Sequence, residues 1–220
     1  MLDIEQVDYW VFDLDNTLYP AENNLFSQVD KRMGEFIAQR FSLAPDAAKR
    51  LQKTYFRKYG TTLRGLMTEH DVLPEDFLNY VHDIDFNVLE ENNVLKTALN
   101  SLEGRKIIYT NASCDYAQKV VEKIGLGGIF DGIFDIKSAD FAPKPEADSY
   151  QKMVRLMDVD PKKSVMVEDI ARNLIPASNM GMTTVWVPTG EIWSKDGHSA
   201  EHIDHTAPDL TEWLKSLVKD

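Results

Sequence analysis

The chain is short of cysteine, of basic charge and of long apolar runs, and each shortage removes a class of reading. Its 220 residues hold one cysteine, Cys114, so no disulfide framework and no cysteine-built zinc site can form within it. Lys and Arg number 24 against 36 Asp and Glu, a formal net charge of −12. Such a surface repels nucleic acid polymers and acidic membrane faces, since little is left to neutralise a row of phosphates. A small anionic substrate stays admissible where cations and amides gather locally. No window is apolar for long enough to cross a bilayer, and the opening "MLDIEQVDYW" lacks the apolar centre of a secretion signal. The expectation is a reducing, cytoplasmic setting. With 43% hydrophobic residues, the chain has material for one core domain and a modest insertion.

Hydrophobic spacing divides the chain into two regimes. Residues 9–14 read as a buried strand. From about residue 25 to about 102 the spacing is helical almost throughout. "LFSQVDKRMGEFIAQRF" keeps a helical repeat, and Pro45 with Asp46 opens a second helix that "GTTLRG" breaks after Tyr59. Pro74 starts another, and "ENNVLKTALNSL" makes one that ends near Gly104. Strands and helices then alternate. "KIIYT" (106–110) precedes a helix capped by Ser113 and ended at Gly125, and a Gly-rich apolar segment (127–136) leads to a helix with Pro145 at its first position. "SVMVED" (164–169), a helix stopped at Gly181, "TTVWV" (183–187) and "DLTEWLKSL" (209–217) complete the pattern. Alternation of this kind predicts an α/β, doubly wound parallel sheet. Since 9–14 belongs to the same sheet, the expected division is a core of 1–19 and 97–220 interrupted by an α-helical cap domain at 20–96.

Open parallel sheets place ligands just beyond the carboxyl ends of their strands. Four such ends carry polar groups: Asp13 and Asp15, Thr110 and Asn111, Lys144 on the loop before a helix, and Glu168 with Asp169. Three or four carboxylates in one crevice repel one another unless a divalent cation sits among them. An all-oxygen set suits Mg²⁺. A lysine and a hydroxyl nearby would stabilise a transferring phosphoryl group. One carboxylate could attack phosphorus while a second acid protonates the leaving alkoxide and later activates water.

The order and spacing of these groups carry a resemblance. "FDLDNTLYP", "YTNAS", "APKPEADSY" and "MVEDIARNL" look like the four motifs of the haloacid dehalogenase superfamily of phosphohydrolases, and the helical block sits where that superfamily inserts its cap. The resemblance implies that Asp13 is the nucleophile and Asp15 the general acid/base, with Asp15's backbone carbonyl also on the metal. It implies that Thr110 and Asn111 hold phosphoryl oxygens, that Lys144 neutralises nucleophile and phosphate, and that Asp13, Glu168 and Asp169 face a Mg²⁺ ion. Asn173 is expected to support the acidic pair from behind. Whether Glu168 ligates directly or through water stays open, because Glu-Asp stands where an Asp-Asp pair is usual.

An acid at Asp15 separates phosphate-ester chemistry from the halide chemistry for which the superfamily is named, because a halide needs no proton. Phosphatase and phosphomutase both use the acid pair and are not separated. Substrate choice is expected to reside in the cap. "YFRKYGTTLRGLM" (55–67), together with "DLDNTLYP", resembles the pyrimidine 5′-nucleotidase branch. That resemblance implies a nucleoside monophosphate such as UMP or CMP as partner, with Tyr55 or Tyr59 stacking on the base, Arg64 or the loop amides bonding its carbonyls, and Thr61 also facing the substrate. The runner-up reading is a phosphatase for phosphoglycolate or a sugar phosphate, and the third is a catalytically silent binding module. The histidines at 70, 82, 198, 202 and 205 show no ligand spacing, and "HSAEHIDH" (198–205) reads as an exposed polar connection. For Cys114 a structural role is expected.

Overall fold

The computed structural model describes residues 4–199 and 201–217. Its centre is a sheet of six parallel strands: β1 (Tyr9–Phe12), β2 (Arg105–Tyr109), β3 (Gly132–Phe134), β4 (Ser164–Glu168), β5 (Thr183–Trp186) and β6 (His205–Thr206). Their order across the sheet is β3-β2-β1-β4-β5-β6, the doubly wound order with its reversal at β1. Phe12 pairs with Ile108 on one side and Val167 on the other, so the carboxyl ends of β1, β2 and β4 lie side by side.

Alternation along the strands splits the core. Trp10, Phe12, Ile108, Val165 and Val167 face one layer, while Val11, Ile107, Tyr109 and Met166 face the other. Both faces are covered, which is why the strands read as near-continuous apolar runs. The first layer holds α5 (Asn93–Asn100), α6 (Cys114–Lys123) and α9 (Leu210–Leu217), through Leu99, Tyr116, Val120 and Leu214. The second holds α7 (Ala147–Met157) and α8 (Leu174–Asn179), through Tyr150, Met153, Leu174 and Ala177.

Between β1 and α5 the chain forms α1 (Leu25–Phe41), α2 (Pro45–Tyr59), α3 (Thr62–His70) and α4 (Pro74–Val81). Pro45 and Pro74 occupy first helical positions, where the missing N–H costs nothing. The four helices bury Leu25, Ile37, Tyr55, Leu66 and Phe77, and Phe36 meets Phe77 edge to face at 5.2 Å. Among the described residues, no helix is long and apolar enough to cross a membrane.

Four local expectations are corrected. "GTTLRG" breaks the helix only at Gly60 and Thr61. The Thr61 hydroxyl accepts the Arg64 N–H at 3.1 Å, so the break is also the N-cap of α3. Residues 82–92 are not α-helical; a short 3₁₀ turn at Phe86–Val88 is capped by Asp85. Ser113 stands at the N-cap of α6, but its hydroxyl makes no capping bond and pairs with His82 Nδ1 at 3.1 Å, while Asp135 Oδ2 accepts the Cys114 N–H at 2.9 Å. Pro145 does not begin a helix: it follows a cis peptide bond in a turn closed by the Glu146 N–H on the Pro143 carbonyl, and α7 starts at Ala147.

The segment at 198–205 also departs from a plain exposed connection, since it ends in β6. The Asp204 carboxylate accepts both the N–H and the hydroxyl of Thr184, at 2.8 and 3.1 Å, and that hydroxyl also reaches the His202 carbonyl. Side-chain bonds hold a two-residue edge strand that its composition would not announce.

Candidate active site

Asp13 stands one residue past β1, and its N–H still bonds the Val167 carbonyl at 2.8 Å. Ladder pairing therefore delivers a carboxylate to the sheet edge in a fixed place. The chain turns at once through Asn16, whose φ of 60° is left-handed. Asparagine tolerates that region better than most residues, so the turn needs no glycine. Thr17 donates its hydroxyl to Asp13 Oδ2 at 3.3 Å.

Among the described residues, Lys144 carries the only side-chain cation inside the cluster, and it is 2% exposed. Its ammonium lies 2.6 Å from Asp13 Oδ1, 2.6 Å from Glu168 Oε2 and 3.0 Å from the Tyr109 carbonyl. Those three acceptors use all three ammonium protons. Burial alone would lower the pKa of Lys144, but the charges of Asp13 and Glu168 overcome it and push the group upward. Asn111 positions the same loop by accepting the Lys144 N–H at 2.9 Å. Thr110, fully buried at the end of β2, turns its hydroxyl back to accept the Ala112 N–H at 3.0 Å.

Three carboxylates converge. Oxygens of Asp13, Glu168 and Asp169 all lie within 4.8 Å of one another. Both oxygens of Glu168 are engaged, one by Lys144 and the other by the Ile170 N–H at 3.2 Å. Asp169 Oδ2 is buried with no hydrogen-bond partner. Burial, then the charge of Glu168, pushes Asp13 up to about 7 and pushes Asp169 well above the carboxylate range. One lysine against three acids leaves negative charge uncompensated, and one oxygen of Asp169 is buried without a partner. That donor set fits a hard divalent cation.

Asp15 is set apart from this cluster. Its Oδ1 accepts two phenolic hydroxyls, from Tyr19 at 2.5 Å and from Tyr116 at 2.7 Å. Burial raises its pKa, and the two tyrosines oppose that rise. Thus the two acids of "DLDN" have unlike surroundings: Asp13 faces an ammonium, Asp15 a pair of phenols.

The structure brings Asp13, Lys144, Glu168 and Asp169 into one cluster, with Thr110 and Asn111 on its rim. Asn173 is buried behind it, and its carbonyl accepts the Tyr150 hydroxyl at 2.5 Å. The helical-block residues divide. Tyr55 is packed so closely on α3 that a β-carbon on Gly65 would meet its ring at 2.4 Å, and its hydroxyl bonds His70. Tyr59 bonds Glu69 on the surface. Thr61 serves as N-cap, and Arg64 points toward the lysine loop, 3.9 Å from Glu146. Three residues at the site went unnoticed in the sequence: Thr17, Tyr19 and Tyr116. For Thr17 and Tyr19 a signal existed, since each lies four residues past the acid it bonds.

Comparison with known proteins agrees with this geometry. Phosphate metabolism protein 8 of Saccharomyces cerevisiae is 27% identical over 134 residues, which are 56% of this chain and 41% of that one. The matched segments thus span less than half the length of the curated relatives. CbbY from Rhodobacter sphaeroides, solved in complex with phosphate, superimposes with a TM-score of 0.67 at 16% identity, over 94% of this chain and 96% of that one. The HAD-hydrolase YfnB from Bacillus subtilis, solved bound to magnesium and described as revealing interdomain movement, gives 0.62 at 14% identity over 97% and 99%. At these identities the structural likeness establishes the fold. The haloacid dehalogenase-like hydrolase model matches residues 7–181, and the chain belongs to that family.

Proposed function

We propose that the chain is a Mg²⁺-dependent phosphomonoester hydrolase that works through an aspartyl phosphate on Asp13, with a pyrimidine nucleoside monophosphate as its substrate. The observation that carries the reaction is the placing of one buried ammonium 2.6 Å from both Asp13 and Glu168, beside an unpartnered Asp169 oxygen. Asp13, Asp169 and the backbone carbonyl of Asp15 would hold the metal. Glu168, its oxygens already engaged, would act through a metal-bound water. When bound, Mg²⁺ supplies positive charge that offsets the acids and the substrate phosphate.

The chain's own residues then divide the work. An Asp13 oxygen attacks phosphorus, the bond from phosphorus to the ester oxygen breaks, and the departing oxygen takes the proton of the Asp15 carboxyl group. Burial favours a protonated Asp15 at the start. Asp15, now a carboxylate, removes a proton from water as the water attacks phosphorus. The bond to Asp13 breaks, releasing orthophosphate and restoring both acids. Lys144 and Asn111 hold the loop that faces the phosphoryl group, and Thr110 closes the end of β2.

Residues 20–96 would form the cap over a core of 1–19 and 97–220. In support, Gly60 and Arg64 reach the Lys144 loop. The pyrimidine reading rests on the likeness of "DLDNTLYP" and "YGTTLRG" to that branch, with Thr61 and Arg64 the cap groups beside the phosphate loop. Tyr55, its ring packed against Gly65, is given no part in stacking.

The experiment is phosphate release over a phosphomonoester panel, with Mg²⁺ and with chelator. Turnover that needs Mg²⁺ and favours UMP or CMP is expected. Preference for phosphoglycolate or a sugar phosphate would sink the substrate claim alone, whereas no turnover of any ester would sink the reaction. Asp13→Asn should abolish turnover and phosphoryl incorporation into protein; retained activity would overturn the nucleophile.

A further inference from the structure

Asp15 is the acid whose surroundings the phosphatase reading leaves unexplained. Tyr19 and Tyr116 both donate to the same oxygen, Oδ1. Tyr19 comes from the turn after β1. Tyr116 comes from the first turns of α6, 101 residues from Asp15. Both rings are buried, at 3% and 2% exposure. Two donors from separate elements meeting on one carboxylate oxygen fix the plane and direction of that group. They also occupy the acceptor sites of Oδ1, so the proton to be transferred resides on Oδ2.

Tyr116 is itself held from the far side. His82, at the end of α4, stacks on its ring with centroids 4.3 Å apart and planes 22° apart. The His82 ring is oriented in turn by Ser113, 3.1 Å from its Nδ1. Phe86 covers another part of the Tyr116 ring at 5.8 Å. Helical-block residues therefore clamp a core tyrosine whose hydroxyl holds Asp15. A filler ring would need neither a shared acceptor nor an aligned stack.

We infer that Tyr19 and Tyr116 are positioning residues that aim the Asp15 carboxyl group for proton transfer to the leaving oxygen, with His82 seating Tyr116 when the helical block is closed on the core. The inference rests on the reading of Asp15 as the general acid. Its effect falls on one part of the reaction: esters with poor leaving groups need that proton, and activated aryl esters do not.

The test compares kcat/KM, which reports formation of the aspartyl phosphate, for two probes. One is p-nitrophenyl phosphate. The other is UMP, or the fastest alkyl ester of the panel. Tyr19→Phe and Tyr116→Phe keep the rings and remove the donors. Each should lower the alkyl-to-aryl ratio of kcat/KM about tenfold, a part of the roughly hundred- to ten-thousandfold that general acid catalysis supplies. His82→Ala should lower the ratio in the same direction by a smaller factor, and it leaves both phenols in place should a phenylalanine variant fold poorly. Asp15→Asn is the reference. If it lowers the ratio and the three variants leave it unchanged, the inference is overturned and the acid stands. If Asp15→Asn leaves the ratio unchanged, the general-acid reading itself falls and the inference with it.

Discussion

Gly60 lies against Lys144: a β-carbon built on the glycine would stand 3.2 Å from the Lys144 carbonyl oxygen and 3.2 Å from the Pro143 ring. The turn between α2 and α3 is therefore in contact with the loop that carries the buried ammonium. Arg64, one turn further on, reaches Glu146 on the same loop. On another flank Phe26 and Phe56 meet Trp193, and Arg172 lies over the Phe56 ring at 4.6 Å. The helical block touches the core at both sites.

Gly60→Ala should lower stability and activity together. The glycine holds φ at 82° and ψ at −38°, a sparsely populated conformation that costs an L residue about 1–3 kcal/mol, and the added methyl presses on the loop backbone. A urea midpoint lowered accordingly, with kcat also reduced, is expected. An unchanged midpoint would show that the turn relaxes freely.

Lys144→Met tests the ammonium as the cluster's counter-charge. Removing it leaves Asp13 and Glu168 buried and unpaired, which costs about 3–5 kcal/mol where such pairs are broken. Activity should vanish. The stability loss should shrink between pH 7.5 and pH 5, because protons then replace the missing charge. Thermal melts at the two pH values decide it, and a loss independent of pH would mean packing rather than charge.

How far the sequence reveals this site follows from what each residue needs. Asp13, Glu168 and Asp169 lie at strand ends in a parallel sheet, so finding the strands finds the acids, while Lys144 stands on the loop ahead of α7. Thr17 and Tyr19 lie in "DLDNTLYP" four residues past the acids they bond, a spacing that marks a contact only once the turn at Asn16 is known. Tyr116 could not be read at all, since nothing in "CDYAQKVV" marks one buried aromatic as bonding an acid 101 residues away. The same limit hid β6, which is held by Asp204 and Thr184 side chains rather than by strand-forming residues. Pro145 misled because its local preference for a helix start yields to the turn that places Lys144.

Stability should fall with rising pH in metal-free buffer. Asp13 moves from an ordinary 3.8 to about 7 on folding, through burial and then the charge of Glu168, and Asp169 moves the same way. Between those values the folded chain keeps protons that the unfolded chain has released. Stability is then highest at the acid end and, through Asp13, declines from about pH 4 to about pH 7, with Asp169 adding to the decline in the same direction. Mg²⁺ should cancel the decline and raise the melting temperature more at pH 7.5 than at pH 5. Asp169→Asn removes the unpartnered carboxylate, so it should stabilise the metal-free protein at neutral pH and erase the response to Mg²⁺. A melting temperature that climbs from pH 5 to 7.5 without metal would contradict the sign.

Trp193 should report movement of the helical block. Its ring lies 6.3 Å from Phe26 on α1 and 6.3 Å from Phe56 on α2, while its own segment belongs to the loop after β5. The next residue, Ser194, is fully buried, and the Asp196 carbonyl accepts the Arg172 N–H at 2.9 Å, which anchors that loop to the core. Opening of α1–α4 would strip both aromatic neighbours from one face of the indole and expose it to water. Mg²⁺ with orthovanadate, a phosphate mimic, should favour the closed arrangement and change tryptophan emission. Trp193→Phe should abolish that change, although Trp10, Trp186 and Trp213 remain. If the emission change persists in Trp193→Phe, the moving element lies elsewhere, near Trp186 or Trp213, and the contact between Phe56 and Trp193 is a fixed seam rather than the closing edge.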